Sequence, residues 1–203
     1  MSDAFQIEEY RGIKGLVYAK VIKDDLTGYE AGEVKPLAGI AELSRTTENG
    51  SESHYYDDNP AVVINSTGAD TVTCSVSAIP LSTLADITGQ DWDEDLGMFM
   101  EGERRSEYFA IGYITGNTSG QEMYVWRLKG KFSIPDSTHK TKTQGTEADG
   151  QQVVFTGIAT TFKFAKDGKV RKAITVNASL NKADVTGFFD TVQTPDSVKA
   201  PTV

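Results

Sequence analysis

Apolar and polar residues alternate over several stretches of this chain. In 71–79, Val72, Cys74, Val76 and Ala78 share one side, and Thr71, Thr73, Ser75 and Ser77 take the other. In 123–134, Tyr124, Trp126, Leu128, Phe132 and Ile134 alternate with Val125, Arg127, Lys129, Lys131 and Ser133. A period of two belongs to strands that bury one face and wet the other. In 15–23, Leu16, Tyr18 and Ile22 oppose Val17, Ala19 and Val21. Both faces there are apolar, which predicts a strand covered on both sides or packed against a neighbouring chain. Further strands are predicted at 36–43, 61–64, 70–79, 108–115, 153–164 and 170–180. Turns fall at 25–28, 66–70 and 117–120, with a two-residue hairpin turn at Asp167-Gly168. The period changes once. Leu81, Leu84 and Ile87 follow Pro80 and precede Gly89, which predicts a short helix over 80–88.

The predicted fold is therefore mainly β: an antiparallel sandwich or barrel-like body with one short α-helix and long polar loops. Residues 44–60 read as a polar connection carrying the pair Tyr55-Tyr56, and 135–152 as a projecting polar hairpin. Connections of that length are usually functional or ordered by a partner. The expected organisation is an N-terminal arm over 1–12, one β-rich domain over 13–193 and a flexible tail over 194–203.

Composition narrows the function classes. The 203 residues can bury a substantial core as one unit, and a charged share of 24% does not suggest disorder. Twenty Lys and Arg against 29 Asp and Glu leave a net charge of −9. Such a surface repels phosphate, so a protein that grips nucleic acid is disfavoured, whereas one that nucleic acid slides past is not. Residues 1–5 lack a basic stretch or an apolar core, so the expectation is synthesis in a cytoplasm without a signal peptide. No apolar run reaches bilayer length, and no membrane partner is expected. The single Cys74 reads as a small core residue.

Catalytic and metal chemistry finds little support. Asp91, Asp93 and Asp95 start like a calcium loop, but its sixth position is Leu96 instead of glycine and its twelfth is Gly102 instead of glutamate. His54 and His139 stand apart, without a partner at triad or ligand spacing. No catalytic residue, cofactor or metal site is assigned. Two surface features remain. Tyr55, Tyr56, Asp57 and Asp58 place aromatics in a polar loop, and tyrosine is enriched where chains meet. Lys129, Lys131, Lys140 and Lys142 form a basic stretch that fits an acidic partner surface, such as 86–103 of a neighbouring copy, or else a soluble strand face.

The order of features resembles the major tail, or tail tube, proteins of phages with long non-contractile tails. The segments that carry the resemblance run from 15–20 through Leu37-Ala38-Gly39, the loop 56–60, Ile79-Pro80-Leu81, the helix up to Gly89 and 126–132 to the closing 188–195. The resemblance implies a virion structural protein, made in the bacterial host, with a β-sandwich-like body and no catalytic site. Its subunits would form hexameric rings that stack into a tube, bind other tail proteins such as the tape measure and tail terminator, and let DNA pass without specific binding. A different class remains open: a monomeric carbohydrate- or receptor-binding β-sandwich of a tail tip, with Tyr55, Tyr56, Trp92 and Trp126 as stacking platforms.

Overall fold

The computed structural model describes residues 7–139, 141 and 150–201. Among the described residues, ten strands and one α-helix follow in chain order: β1 Tyr10–Asp25, β2 Gly28–Pro36, β3 Ile40–Tyr56, β4 Asn59–Val76, α1 Leu81–Thr88, β5 Asp91–Asp93, β6 Met98–Met100, β7 Phe109–Asn117, β8 Glu122–Phe132, β9 Gln151–Gly157 and β10 Ala173–Asn177. The main sheet is antiparallel in the order β2-β1-β7-β8-β9-β4-β3, with β10 added to β8 and a separate β5-β6 hairpin. The fold is mainly β and sandwich-like, as the alternation predicts. The sheet ends on β2 and β3, so the path is open rather than a closed hydrogen-bonded ring.

The sheet curls so that two apolar clusters form on opposite faces. In the first, Leu16 and Tyr18 of β1 and Ile111 and Tyr113 of β7 meet Val72 and Cys74 of β4, Val153 and Phe155 of β9, and Ile87 of α1. In the second, Ala110, Trp126 and Leu128 are covered by Phe164, Phe188, Phe189, Val192 and Val198 of the C-terminal segment. Strand β1 feeds both, since Val17 and Val21 pack on the second cluster, so it is covered on two sides. Trp126 is fully buried, and its indole N–H donates to the Phe188 carbonyl at 3.1 Å, satisfying the one polar atom that its burial strands.

The alternation of β8 breaks where a bulge falls. Phe109 pairs with Gly130 but Ile111 pairs with Arg127, so β8 carries one more residue than β7 between those positions. The extra residue reverses the facing. Trp126 and Leu128 join the second cluster, and Phe132 joins the first. The free edge of β8 is also divided. Met123 to Arg127 pair with β10, whereas Gly130 to Phe132 pair with β9.

Several expectations are corrected. The polar connection 44–60 is not a loop, because β3 and β4 pair from Ile40↔Val76 out to Tyr56↔Asn59. The predicted strands 61–64 and 70–79 with a turn at 66–70 are one strand, β4, and it ends at Val76, leaving Ala78 exposed. Residues 37–39 are coil between β2 and β3, where one strand over 36–43 was predicted. The predicted hairpin of 153–164 and 170–180 does not form as two paired strands: the Thr160 amide donates to the Arg171 carbonyl and Phe164 bridges Lys169 around the turn, but β9 ends at Gly157 and β10 pairs with β8. The first strand starts at Tyr10, inside the expected arm. The expected flexible tail is tied down: Asp196 accepts from the Ala165 and Lys166 amides at 2.8 Å, and Val198 packs on the second cluster. The helix forms as predicted and ends on Gly89 at φ 68°, a left-handed cap that glycine takes at least cost. Of the projecting hairpin over 135–152, residues 140 and 142–149 lie outside the described residues.

Candidate functional site

Two features stand out from the folded body, an arm and a cleft. The arm is the outer part of the β3-β4 hairpin. Strand β9 supports β4 from Asp70 to Val76, and beyond Asp70 the two strands pair with each other. From Asp70 to the tip is about 12 residues, or about 40 Å at roughly 3.3 Å per residue. The tip is the two-residue loop Asp57-Asp58, flanked by the pair Tyr56↔Asn59, with φ of 50° and 62°. Positive φ at both positions matches the right-handed twist of the flanking strands, and aspartate tolerates it better than most side chains. Along the arm Tyr55, Tyr56, Val62, Val63 and Ile64 are between 48% and 66% exposed. Tyr55 and Tyr56 therefore do not fold back on the domain.

The cleft opens where the β8 edge divides. It has a volume of about 1010 Å³ and lies among the first residues of β1, the body end of β3 and β4, the later half of β7, the first half of β8, and β10. Left-handed glycines shape one wall. Gly12 at φ 91° and Gly15 at φ 68° sit at two register shifts between β1 and β7, and these bulges carry Tyr10 to Ile13 along the opening. At the base lies Asp70, whose side chain is 5% exposed. It pairs with Arg127 at 2.7 Å and Lys172 at 3.3 Å, stands 3.9 Å from Arg45, and accepts from the Thr47 hydroxyl at 3.0 Å. Burial alone would raise its carboxyl. The hydrogen bonds from Thr47, Lys172 and Arg127, with the Arg127 charge, outweigh that and hold it below the usual carboxylate range.

The predicted basic stretch is dispersed. Lys129 is buried and pairs with Asp24 at 2.5 Å, and Asp24 also accepts from the Thr161 and Phe162 amides. Burial of Asp24 is again outweighed, here by the Lys129 hydrogen bond and the two amides, and its carboxyl is held low. Lys129 thus fastens the 161–162 segment onto β1, which corrects its reading as a docking residue. Lys131 donates to the Ser106 hydroxyl at 2.6 Å and stands, like Lys129, over the Tyr108 ring. Lys140 and Lys142 lie outside the described residues. Asp91 pairs with Arg105 and Asp93 accepts from the Leu96 amide, so these two acids are engaged within and beside the β5-β6 hairpin. Among the described residues, no three His, Cys, Asp or Glu side chains converge as a metal site. Burial pushes the Cys74 thiol up to about 12, which makes it inert. No described helix is long and apolar enough to cross a membrane.

Sequence reasoning missed the cleft. Asp70 and Arg127 lie 57 residues apart, and no local spacing announces their pairing. The available signal was Arg127 itself, a cation between Val125 and Lys129 in a strand with too many apolar residues to leave either face in water. No known family model matches the chain, and no curated protein matches it.

Proposed function

We propose that this chain is a structural subunit that assembles through its arm, and that the assembly is the tail tube of a phage with a long non-contractile tail. The observation that carries the reading is the arm. A two-stranded ribbon alone is at best marginally stable in water, and this one exposes five large apolar or aromatic side chains. Each is about half exposed, so covering it on a neighbour contributes about 1 kcal/mol, or roughly 5 kcal/mol per arm. Association costs about 4–15 kcal/mol in lost freedom, so one arm contact is marginal by itself and further contacts between subunits must add to it. The open edges of β2 and β3 support the same reading, since pairing or covering them around a ring removes a liability that a free subunit would carry. The role is architectural rather than catalytic, with partners among the other tail proteins. The net charge of −9 suits a bore that lets DNA slide without phosphate contacts. The alternative, a monomeric sugar- or receptor-binding module, loses Trp126 as a platform because that ring is fully buried.

Negative-stain microscopy of concentrated protein tests the proposal, with rings or tubes as the expected outcome. Replacing 48–69 with Asn-Gly leaves Thr47 and Asp70, which are register partners, joined by a two-residue turn. That variant should remain folded by circular dichroism and stay monomeric in sedimentation. Tubes formed by the armless variant would remove the arm from assembly, and a wild-type protein that stays monomeric at high concentration would overturn the proposal.

A further inference from the structure

The cleft holds more positive charge than a chain of net charge −9 would suggest. Its walls carry Arg11, Arg45, Arg127, Arg171 and Lys172 against Glu42 and Asp70. Arg171 is matched by Asp167, outside the cleft lining. Around Asp70, however, three cations (Arg127, Lys172 and Arg45) share one carboxylate. Arg127 is 5% exposed, and its buried Nε has no hydrogen-bond partner among the described residues. A guanidinium with a spare donor, shielded from bulk water and beside surplus positive charge, is completed by a further carboxylate. The remaining walls include Leu43, Tyr113, Val125 and Val170. The ligand that fits therefore carries acidic groups next to apolar ones.

We propose that the cleft receives the acidic turn of the β5-β6 hairpin from a second copy of this chain. That turn reads Asp93-Glu94-Asp95-Leu96-Gly97. Glu94 and Asp95 are exposed and form no ion pair among the described residues. Leu96 is 72% exposed, and Met98 and Met100 flank it at 41%. The two surfaces complement each other in charge and in apolar content.

A subunit does not fill its own cleft. The hairpin belongs to the end of the body where β8 finishes: Arg104, just after β6, donates to the carbonyls of Thr88 and Phe132. The cleft is lined by Met123, Val125 and Arg127, where β8 begins. About seven residues separate Val125 from Phe132, roughly 23 Å of strand. The contact joins two different patches, so it propagates into rings or stacks unless two copies exchange it reciprocally across a two-fold axis. This inference rests on the assembly reading above.

The test titrates a cyclised peptide of residues 91–100 into the full-length protein by calorimetry. Binding should weaken about tenfold when salt rises from about 0.05 to about 0.3 M. Arg45→Glu lies on the half-exposed rim, so the fold should persist, as circular dichroism will check. It should weaken the wild-type peptide about tenfold and strengthen a peptide carrying Glu94→Lys and Asp95→Lys. No binding at about 1 mM peptide, binding indifferent to Arg45→Glu, or uptake of acetate or inorganic phosphate without uptake of peptide would each overturn the proposal. Full-length E94K/D95K that still forms normal tubes would overturn it too, while leaving the tube reading intact. Charge-dependent peptide binding by a protein that makes neither rings nor tubes would have the opposite result: the cleft contact stands and the tube falls.

Discussion

Asp24→Asn removes one charge and almost no volume, from a carboxylate that joins three parts of the chain. Asp24 stands near the end of β1, its side chain 3% exposed, with Lys129 Nζ at 2.5 Å and the Thr161 and Phe162 amides within 2.9 Å. Breaking one partner out of a buried ion pair costs about 3–5 kcal/mol, because the other charge stays buried without its match. Two features put this site at the low end. The asparagine carbonyl still accepts one bond, and Lys129 keeps the Thr161 hydroxyl at 3.2 Å. The expected loss is therefore about 3 kcal/mol. With a urea slope of about 2 kcal/mol/M, the unfolding midpoint should fall by about 1.5 M. The emission of Trp126, sealed under Phe188, reports the transition directly, with Trp92→Phe as background. Lys129→Met should cost less than Asp24→Asn, since Asp24 would retain both amides. A midpoint shift under about 0.3 M for Asp24→Asn would show that the pair does not fasten the C-terminal segment.

Acid should unfold the protein through Asp24 and Asp70. Both carboxyls are held below their unfolded value of about 3.9, so their contribution is present above that pH and is lost as pH falls through the lower folded values. Stability measured by urea titration should fall below about pH 4, and less steeply in Asp24→Asn than in wild type. Gly130→Ala should cost about 2–3 kcal/mol in the same urea assay, because a Cβ there would lie 2.3 Å from the Phe155 ring and 2.5 Å from the Thr156 carbonyl. Gly12→Ala meets nothing within 4 Å and should cost about 1 kcal/mol, from its φ of 91° alone. Duplex DNA should show no binding to assembled protein at physiological salt by filter retention, and tight, salt-sensitive retention would reveal a basic track that the net charge hides.

Local pattern alone determined several parts of this molecule. The alternation of Val72, Cys74 and Val76, the two apolar faces around Leu16 to Val21, and the helix between Pro80 and Gly89 are consequences of neighbouring residues sharing or opposing a face. Tertiary structure decided where the local pattern was silent or misleading. Residues 44–60 are polar because an arm beyond the body has no core to face, so hydropathy read as a loop what pairing makes a strand. Lys129 looked like surface because charge is costly inside, and its partner Asp24 lies 105 residues away. Arg127 and Asp70 meet in the same way, across strands that β9 brings together, and the bulge in β8 decides which side chains face which cluster. A strand's period is written in adjacent residues. The register of its neighbours and the partner of a buried charge are set by chain closure over long separations, which adjacent residues do not encode.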